Sequence, residues 1–304
     1  QLWIVLQRQR TLMIRSKSTT IGRLSQCIIM GLFTGLLYSQ LEKSAVNSRS
    51  YLGVLFTMIS FLAMGNTSQV AIILGGREVF FKHRDNLFFR SFTYVVSMTV
   101  TQIPVTILET FLYTIPVFFL ANLYPSAESY FTLWLICFIT SCALGSTFRS
   151  IAAFSKDMVM ANSVMSLIIL MLILTSGFSI VQSAIPPWWI WVYWLSPFSW
   201  AFRAAAINEF LSDDPSWTQD SGAVAPECLA FPTGGNCTVG EVALLSFDFP
   251  LDHSWIWYGV LYNLGVFLVL VGVCSYGMQS NKPPGQEATV SASGKEDTLE
   301  DANV

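Results

Sequence analysis

Residues 158–202 read MVMANSVMSLIILMLILTSGF followed by SIVQSAIPPWWIWVYWLSPFSWAF. They lie between Asp157 and Arg203, and Tyr193 is the one ionisable side chain among these 45 residues. The first part, Met158 to Phe178, is long enough to cross a bilayer, which takes about 20 apolar residues. The second part is too aromatic and too often broken by proline to be a plain span. Pro186, Pro187 and Pro197 bracket Trp188, Trp189, Trp191, Tyr193 and Trp194, and such rings favour the membrane–water boundary. The reading is one full span, then a helical element that dips into the outer leaflet and returns. A soluble core leaves this stretch nothing polar to face water.

Composition carries the same message. The chain is 53% hydrophobic and 12% charged, with mean hydropathy +0.54. Soluble domains hold about twice that charged fraction. A net charge of −3 gives no basic footprint for nucleic acid. The chain opens at Gln1 without an initiator Met or a signal-peptide pattern, so it is expected to be part of a longer protein.

Outward from the central stretch, charges mark the limits of the apolar runs. Residues 1–20 are basic and amphipathic, with Leu2, Leu6 and Met13 on one side of a helical wheel and Arg8 and Arg15 opposite. Six spans are expected. They lie between Arg23 and Glu42, Arg49 and Arg77, Arg90 and Glu128, Glu128 and Arg149, at 158–178, and between His253 and Lys282. The third contains Glu109 and is expected to bend near Pro104 and Pro116. With the N-terminus inside, 13 of the 16 basic residues fall on inner segments, leaving Lys43, Arg49 and Arg203 outside. That asymmetry satisfies the positive-inside rule and puts both termini in the cytoplasm. Parity allows the central stretch a single crossing, because three would take about 60 residues.

Loop 208–253 has eight acidic residues and no Lys or Arg, and it holds Cys228, Cys237 and the sequon Asn236-Cys237-Thr238. All of this suits an extracellular loop, with Asn236 a glycosylation candidate. Cys27, Cys137, Cys142 and Cys274 lie in spans and are read as packing residues. Asn66-Thr67-Ser68 also spells a sequon but falls inside the second span. Residues 279–304 are polar and acidic, the composition of a disordered cytoplasmic tail or linker.

Enzymatic chemistry finds no foothold. There is no GxxxxGK[ST] phosphate loop, no GxSxG elbow and no Cys/His spacing suited to a metal. His83-Arg84-Asp85 spells a kinase triplet without the kinase's other motifs. Neither a catalytic residue, a metal site nor a cofactor site is expected in this chain. Glu109, a carboxylate in mid-span, is a functional candidate by default. Its structural alternative is a Glu satisfied by Thr106 one turn back or by a neighbouring helix.

The order of local motifs carries a resemblance. Ser176-Gly177-Phe178, Ile185-Pro186-Pro187-Trp188-Trp189, Tyr193-Trp194-Leu195-Ser196-Pro197 and Asn208-Glu209-Phe210 resemble the membrane domain of G-subfamily ABC transporters. Arg77-Glu78-Val79-Phe80-Phe81-Lys82 is similar to an inner-loop motif of their pleiotropic drug resistance branch, and Gln102-Ile103-Pro104 and Thr238-Val239-Gly240-Glu241 fit as well. Gly76 departs from the family, which has an acid before the Arg. The resemblance implies an all-α membrane protein. An amphipathic connecting helix (1–20) precedes an ABC-2 type six-span domain (21–278), and a re-entrant element follows the fifth span.

The implied function is the membrane half of an ATP-driven exporter of hydrophobic compounds, drugs or lipids at the plasma membrane. Nucleotide-binding domains in cis would hold ATP and Mg²⁺, and a second six-span domain, in the same chain or in a dimer, would close a cavity lined by spans two and five. Candidate pathway residues are Met64, Thr67, Thr106, Glu109, Phe178 and Ser179. Phe178 is expected to gate the outer end, sealing against its copy across a two-fold axis. Candidate coupling residues in the inner loop 76–90 are Arg77, Glu78, Phe80, Lys82, Arg84 and Arg90. The family also has an intraloop disulfide that matches Cys228 and Cys237. The competing functional classes are a secondary carrier and a non-transporting membrane scaffold.

Overall fold

The structure, a computed structural model, describes residues 2–86, 88–221 and 237–281. Cys228, Asn236, Lys282, Lys295 and most of the expected tail lie outside these residues. Among the described residues the architecture is all-helical, with a single isolated bridge between Asp220 and Thr238.

The chain begins with α1 (Leu2–Arg15) and, after Ser16, α2 (Lys17–Leu37). The second apolar run forms two helices, α3 (Ser48–Gly65) and α4 (Ser68–Asp85). Asn66 and Thr67 link them without leaving right-handed helical dihedrals. Next come α5 (Ser91–Leu120), α6 (Ala127–Phe154) and α7 (Met158–Leu174). The aromatic stretch makes the short α8 (Ile190–Leu195) and then α9 (Pro197–Phe210). After α10 (Val239–Leu245), α11 (Ser254–Ser280) closes the fold, running two residues past the expected domain limit.

Five of these runs are long and apolar enough to cross a membrane: α2, α3 with α4 taken together, α5, α6 and α11. The fifth expected span is shorter than anticipated. α7 has 17 residues and stops at Leu174, because Gly177 takes φ +93° and turns the chain away before Phe178. Charges proved to be poor markers of helix ends. Arg23, Arg77, Arg149 and Glu128 all sit within helices, and Arg149 is buried.

Packing follows from sequence at two places. Gly31 and Gly35, four apart on α2, share a face, and that face lies directly on α5. A Cβ at Gly31 would meet the Tyr113 carbonyl oxygen at 2.9 Å, and one at Gly35 would meet the Leu120 Cβ at 2.8 Å. Small residues at this spacing let two membrane helices approach backbone to backbone. α9 is the second case. Thirteen of its 14 residues, every one except Trp200, are buried. It is enclosed by α3, α6, α7, α10 and α11. The helix after the tryptophan cluster is therefore enclosed by the rest of the domain. Just before it, Trp188, Trp189, Trp191 and Leu195 are exposed.

Candidate functional site

Four expected pathway residues belong to spans two and three, and the structure separates them. Thr106 and Glu109 are buried on α5, whereas Met64 is exposed on the last turn of α3 and Thr67 is half-buried at the α3–α4 link. Thr106 donates to the Gln102 carbonyl at 3.2 Å and leaves Glu109 alone. Glu109 is satisfied from the neighbouring helix. Arg23 Nη2 of α2 donates to its Oε2 at 2.8 Å, and Arg23 Nε lies 2.8 Å from Oε1. Arg23, expected as an inner flank, is thus one half of an interhelical ion pair.

Beside this pair, Asn66 is buried where α3 gives way to α4. Its side-chain amide donates to the Leu62 carbonyl and to Ser141 Oγ of α6, both at 2.8 Å. A sequon in the middle of a span is in fact the polar clamp of a helix junction.

Phe178 and Ser179 follow the α7 terminus. Ser179 is exposed, and Phe178 is half-buried in a cluster of rings from its own chain. It stacks on Phe56 at 4.6 Å and on Phe247 at 6.0 Å, with Phe202 edge-on at 5.8 Å.

The inner loop expected at 76–90 is helical as far as Asp85, and only 86–90 link it to α5. Its residues divide by face. Arg77 and Phe80 are buried; Phe80 packs on Phe81, Phe89 and Tyr94. Arg77 Nη1 donates to the carbonyls of Ser155 at 2.6 Å and Lys156 at 3.2 Å, at the foot of α7. Arg84 Nη1 donates to the Met278, Gln279 and Asn281 carbonyls at 3.2, 3.2 and 2.8 Å, capping α11. Phe81 lies between the two guanidinium groups, 5.3 Å from Arg77 and 4.8 Å from Arg84. Glu78, Lys82 and Arg90 are exposed.

At the opposite end, the loops after α2, α5 and α9 meet around a charge cluster that local sequence could not reveal. Lys43 Nζ donates to Asp214 Oδ2 at 2.5 Å and lies 3.8 Å from Glu209 Oε1. Glu209 also accepts from the Tyr124 N–H at 3.1 Å and from Trp217 Nε1 at 3.3 Å. Burial pushes the Glu209 carboxyl up to about 7. The hydrogen bond from Lys43, with that from the Ser216 N–H, holds Asp214 below the usual carboxylate range against the upward push of burial. Cys237 is buried and disulfide-bonded, and its expected partner Cys228 lies outside the described residues.

Arg203, expected on the outer side of the membrane, is 2% exposed. Its Nη2 donates to the Tyr193 hydroxyl at 2.6 Å, and its Cζ lies 4.7–5.3 Å from the rings of Trp194, Trp255, Trp200 and Tyr193. The Trp-rich stretch before it was the available signal, since those rings must pack on something.

Comparison with known proteins places this architecture. The sequence profile described as "ABC-2 type transporter" matches residues 1–210. Among curated proteins, the chain is 26% identical to ABC transporter G family member 2 of Dictyostelium discoideum over its whole length. It is 30% identical to ABC transporter G family member 35 of Arabidopsis thaliana over 92% of its length. Pleiotropic drug resistance protein 1 of Nicotiana tabacum is 28% identical over 90% of this chain. The alignments cover 24%, 19% and 18% of those relatives, so the chain spans about a fifth of the length of the proteins it matches. With its motifs in order, its helices long enough to cross a membrane and its profile matched, the chain belongs to the ABC-2 type transporter family and is a membrane domain of the ABC transporter G kind.

Proposed function

We propose that this domain is the membrane-spanning half of an ATP-driven exporter of hydrophobic compounds, drugs or lipids at the plasma membrane. Nucleotide-binding domains elsewhere in the protein would hold ATP and Mg²⁺, and a second domain of the same kind would complete the pathway. The observation that carries this reading is the outer face of α7. Asn162, Ser163 and Ser166 are exposed there, in line with the exposed apolar residues Val159, Leu170 and Leu174. The serine hydroxyls donate to the Val159 and Asn162 carbonyls of their own helix at 2.9 and 2.8 Å, so Asn162 carries the argument: an amide on a membrane helix is costly against lipid and faces a bundle interior or a water-filled cavity instead. A second domain across this face would turn the stripe into the wall of an amphiphilic pathway.

Met64 and Thr67 on the neighbouring α3–α4 run, together with Phe178 and Ser179 beyond α7, would belong to that wall. Thr106 and Glu109 support it from within. The exposed side of α4, with Glu78, Lys82 and the nearby Arg90, is the surface offered to the nucleotide-binding domains, and Arg77, Phe80 and Arg84 pass its motion inward. The Arg23–Glu109 pair weighs against an ion-coupled carrier, whose mid-membrane carboxylate must release and take up protons. The Cys228–Cys237 bridge, glycosylation at Asn236 and the linker role of 279–304 belong to the same proposal.

Inside-out vesicles containing the full-length protein test the reading. ATP should drive uptake of fluorescent hydrophobic compounds, and a non-hydrolysable analogue should not. Uptake that follows a proton gradient and ignores ATP would establish the carrier alternative.

A further inference from the structure

Arg203 presents an unbalanced account of charge. It is 98% buried by its 2% exposure, yet no carboxylate lies within 4 Å of it among the described residues. Of its three nitrogens only Nη2 has a partner, the Tyr193 hydroxyl; Nε and Nη1 are buried and unpaired. Rings on several sides favour the cation, but they offer no acceptor to the remaining N–H groups. A buried guanidinium with free donors is a costly arrangement, and it suits a site awaiting an anion.

The space for one is present. A cavity of about 330 Å³ opens beside Arg203, lined by Gln182, Trp194, Asp248, Phe249 and Trp255 among others. Asp248 does not neutralise Arg203. It takes a positive φ of 58°, and its Oδ2 accepts from the Ser183 N–H at 2.9 Å. The cavity therefore presents a cation and a separate anion within a lining that also holds aromatic rings. A simple anion would find Asp248 repulsive, and a simple cation would find Arg203 repulsive. A molecule carrying both charges satisfies both.

Trp194 and Trp255, which line the cavity, belong to α8 and α11, and the exposed side chains of these neighbouring segments say where such a molecule comes from. Trp188, Trp191 and Leu195 on one side, and Trp257, Tyr258 and Leu261 on α11, are all more than half exposed. Exposed tryptophan and tyrosine at the end of a membrane helix mark the level of the lipid headgroups. We propose that this cavity binds the headgroup of a zwitterionic phospholipid, with Arg203 taking the phosphate and Asp248 the ammonium while the acyl chains lie along α8 and α11. This inference stands whether or not the domain is ATP-driven.

The test uses the full-length protein, purified, delipidated and examined by native mass spectrometry. Three probes are supplied separately: dioleoyl phosphatidylcholine, dioleoyl phosphatidylglycerol and inorganic phosphate. The wild type should retain phosphatidylcholine in preference to phosphatidylglycerol and should not bind phosphate alone. Asp248→Asn should lower phosphatidylcholine retention about tenfold, the loss of one charge-assisted contact, and leave phosphatidylglycerol unchanged or stronger. Arg203→Lys, which keeps the charge but loses the fork, should weaken both lipids. Because Arg203 is central to its cluster, Asp248→Asn on the exposed loop is the deciding variant. Equal retention of the two lipids with no effect of Asp248→Asn overturns the proposal, and so does saturation by phosphate alone.

Discussion

Arg23 and Glu109, 86 residues apart in sequence, form an ion pair between α2 and α5 that is largely withdrawn from solvent, with contacts of 2.8 Å at both carboxylate oxygens. The pair converts the lone mid-span carboxylate of the sequence into a bolt between two helices. Removing one member strands the other's charge, which costs about 3–5 kcal/mol in buried pairs. Arg23→Met and Glu109→Leu should each lower the thermal midpoint of the purified protein sharply. The double variant should recover most of the loss. A double variant no better than either single one would mean that the pair is not the source of the effect.

The same two helices meet at Gly31 and Gly35. Gly35→Val places a side chain where a Cβ alone already meets α5 at 2.8 Å. Separation of α2 from α5 should follow, with a loss of folded protein greater than for the same change at Gly22, which has open space around it. Folded yield, measured by size-exclusion chromatography in detergent, compares the two.

Topology rests on the charge asymmetry, and the structure selects the positions that can report it. Asp214 is buried in its ion pair, so it makes a poor reporter, whereas Asp213 and Asp85 are exposed. Asp213→Cys should react with an impermeant maleimide on intact cells, and Asp85→Cys only after permeabilisation. Labelling of both from the same side contradicts the assigned orientation.

Glu209 should make stability depend on pH. Its carboxyl is raised to about 7 from an ordinary value of 4.5, so the folded state holds the proton more tightly than the unfolded chain. The resulting stabilisation is complete below about pH 4.5 and is lost as pH rises through 7. Asp214 is shifted the other way, below 3.8, and its contribution is lost only in stronger acid, outside this window. The thermal midpoint should fall between pH 5 and pH 8, by an amount worth up to about 3 kcal/mol. Glu209→Gln should flatten that slope. An unchanged slope would assign it to another group.

Phe178 can be a gate only if its ring leaves the Phe56 stack. Phe178→Ala in the full-length protein should leave drug-stimulated ATPase intact or raised while net export changes. If ATPase, export and protein level fall together, the ring serves packing alone.

Much of this fold was legible because lipid simplifies the code. Runs of apolar residues near 20 in length located every long helix, and prolines with tryptophans located the break after α7. Charges misled where the structure pairs or cages them inside helices. Arg23 finds Glu109, Arg77 finds backbone carbonyls, and Arg203 finds aromatic rings, so none of them marks a boundary. No local pattern could have joined Lys43 to Asp214 across 171 positions. The shortening of α7 turned on one backbone angle at Gly177, which the sequence permitted without requiring. The coupling residues are read as a loop from the resemblance of their motif, although Arg77/Phe81 and Phe80/Arg84 have the four-residue spacing of a helix face.

That spacing has a mechanical consequence. Arg77 grips the foot of α7, and Arg84, two turns later, grips the end of α11. Both hold backbone, so neither grip depends on the identity of the side chains it meets. The last turns of α4 therefore behave as a tie bar fastened at two points, and a sideways load on its exposed face must be shared between the shortest membrane helix and the final one.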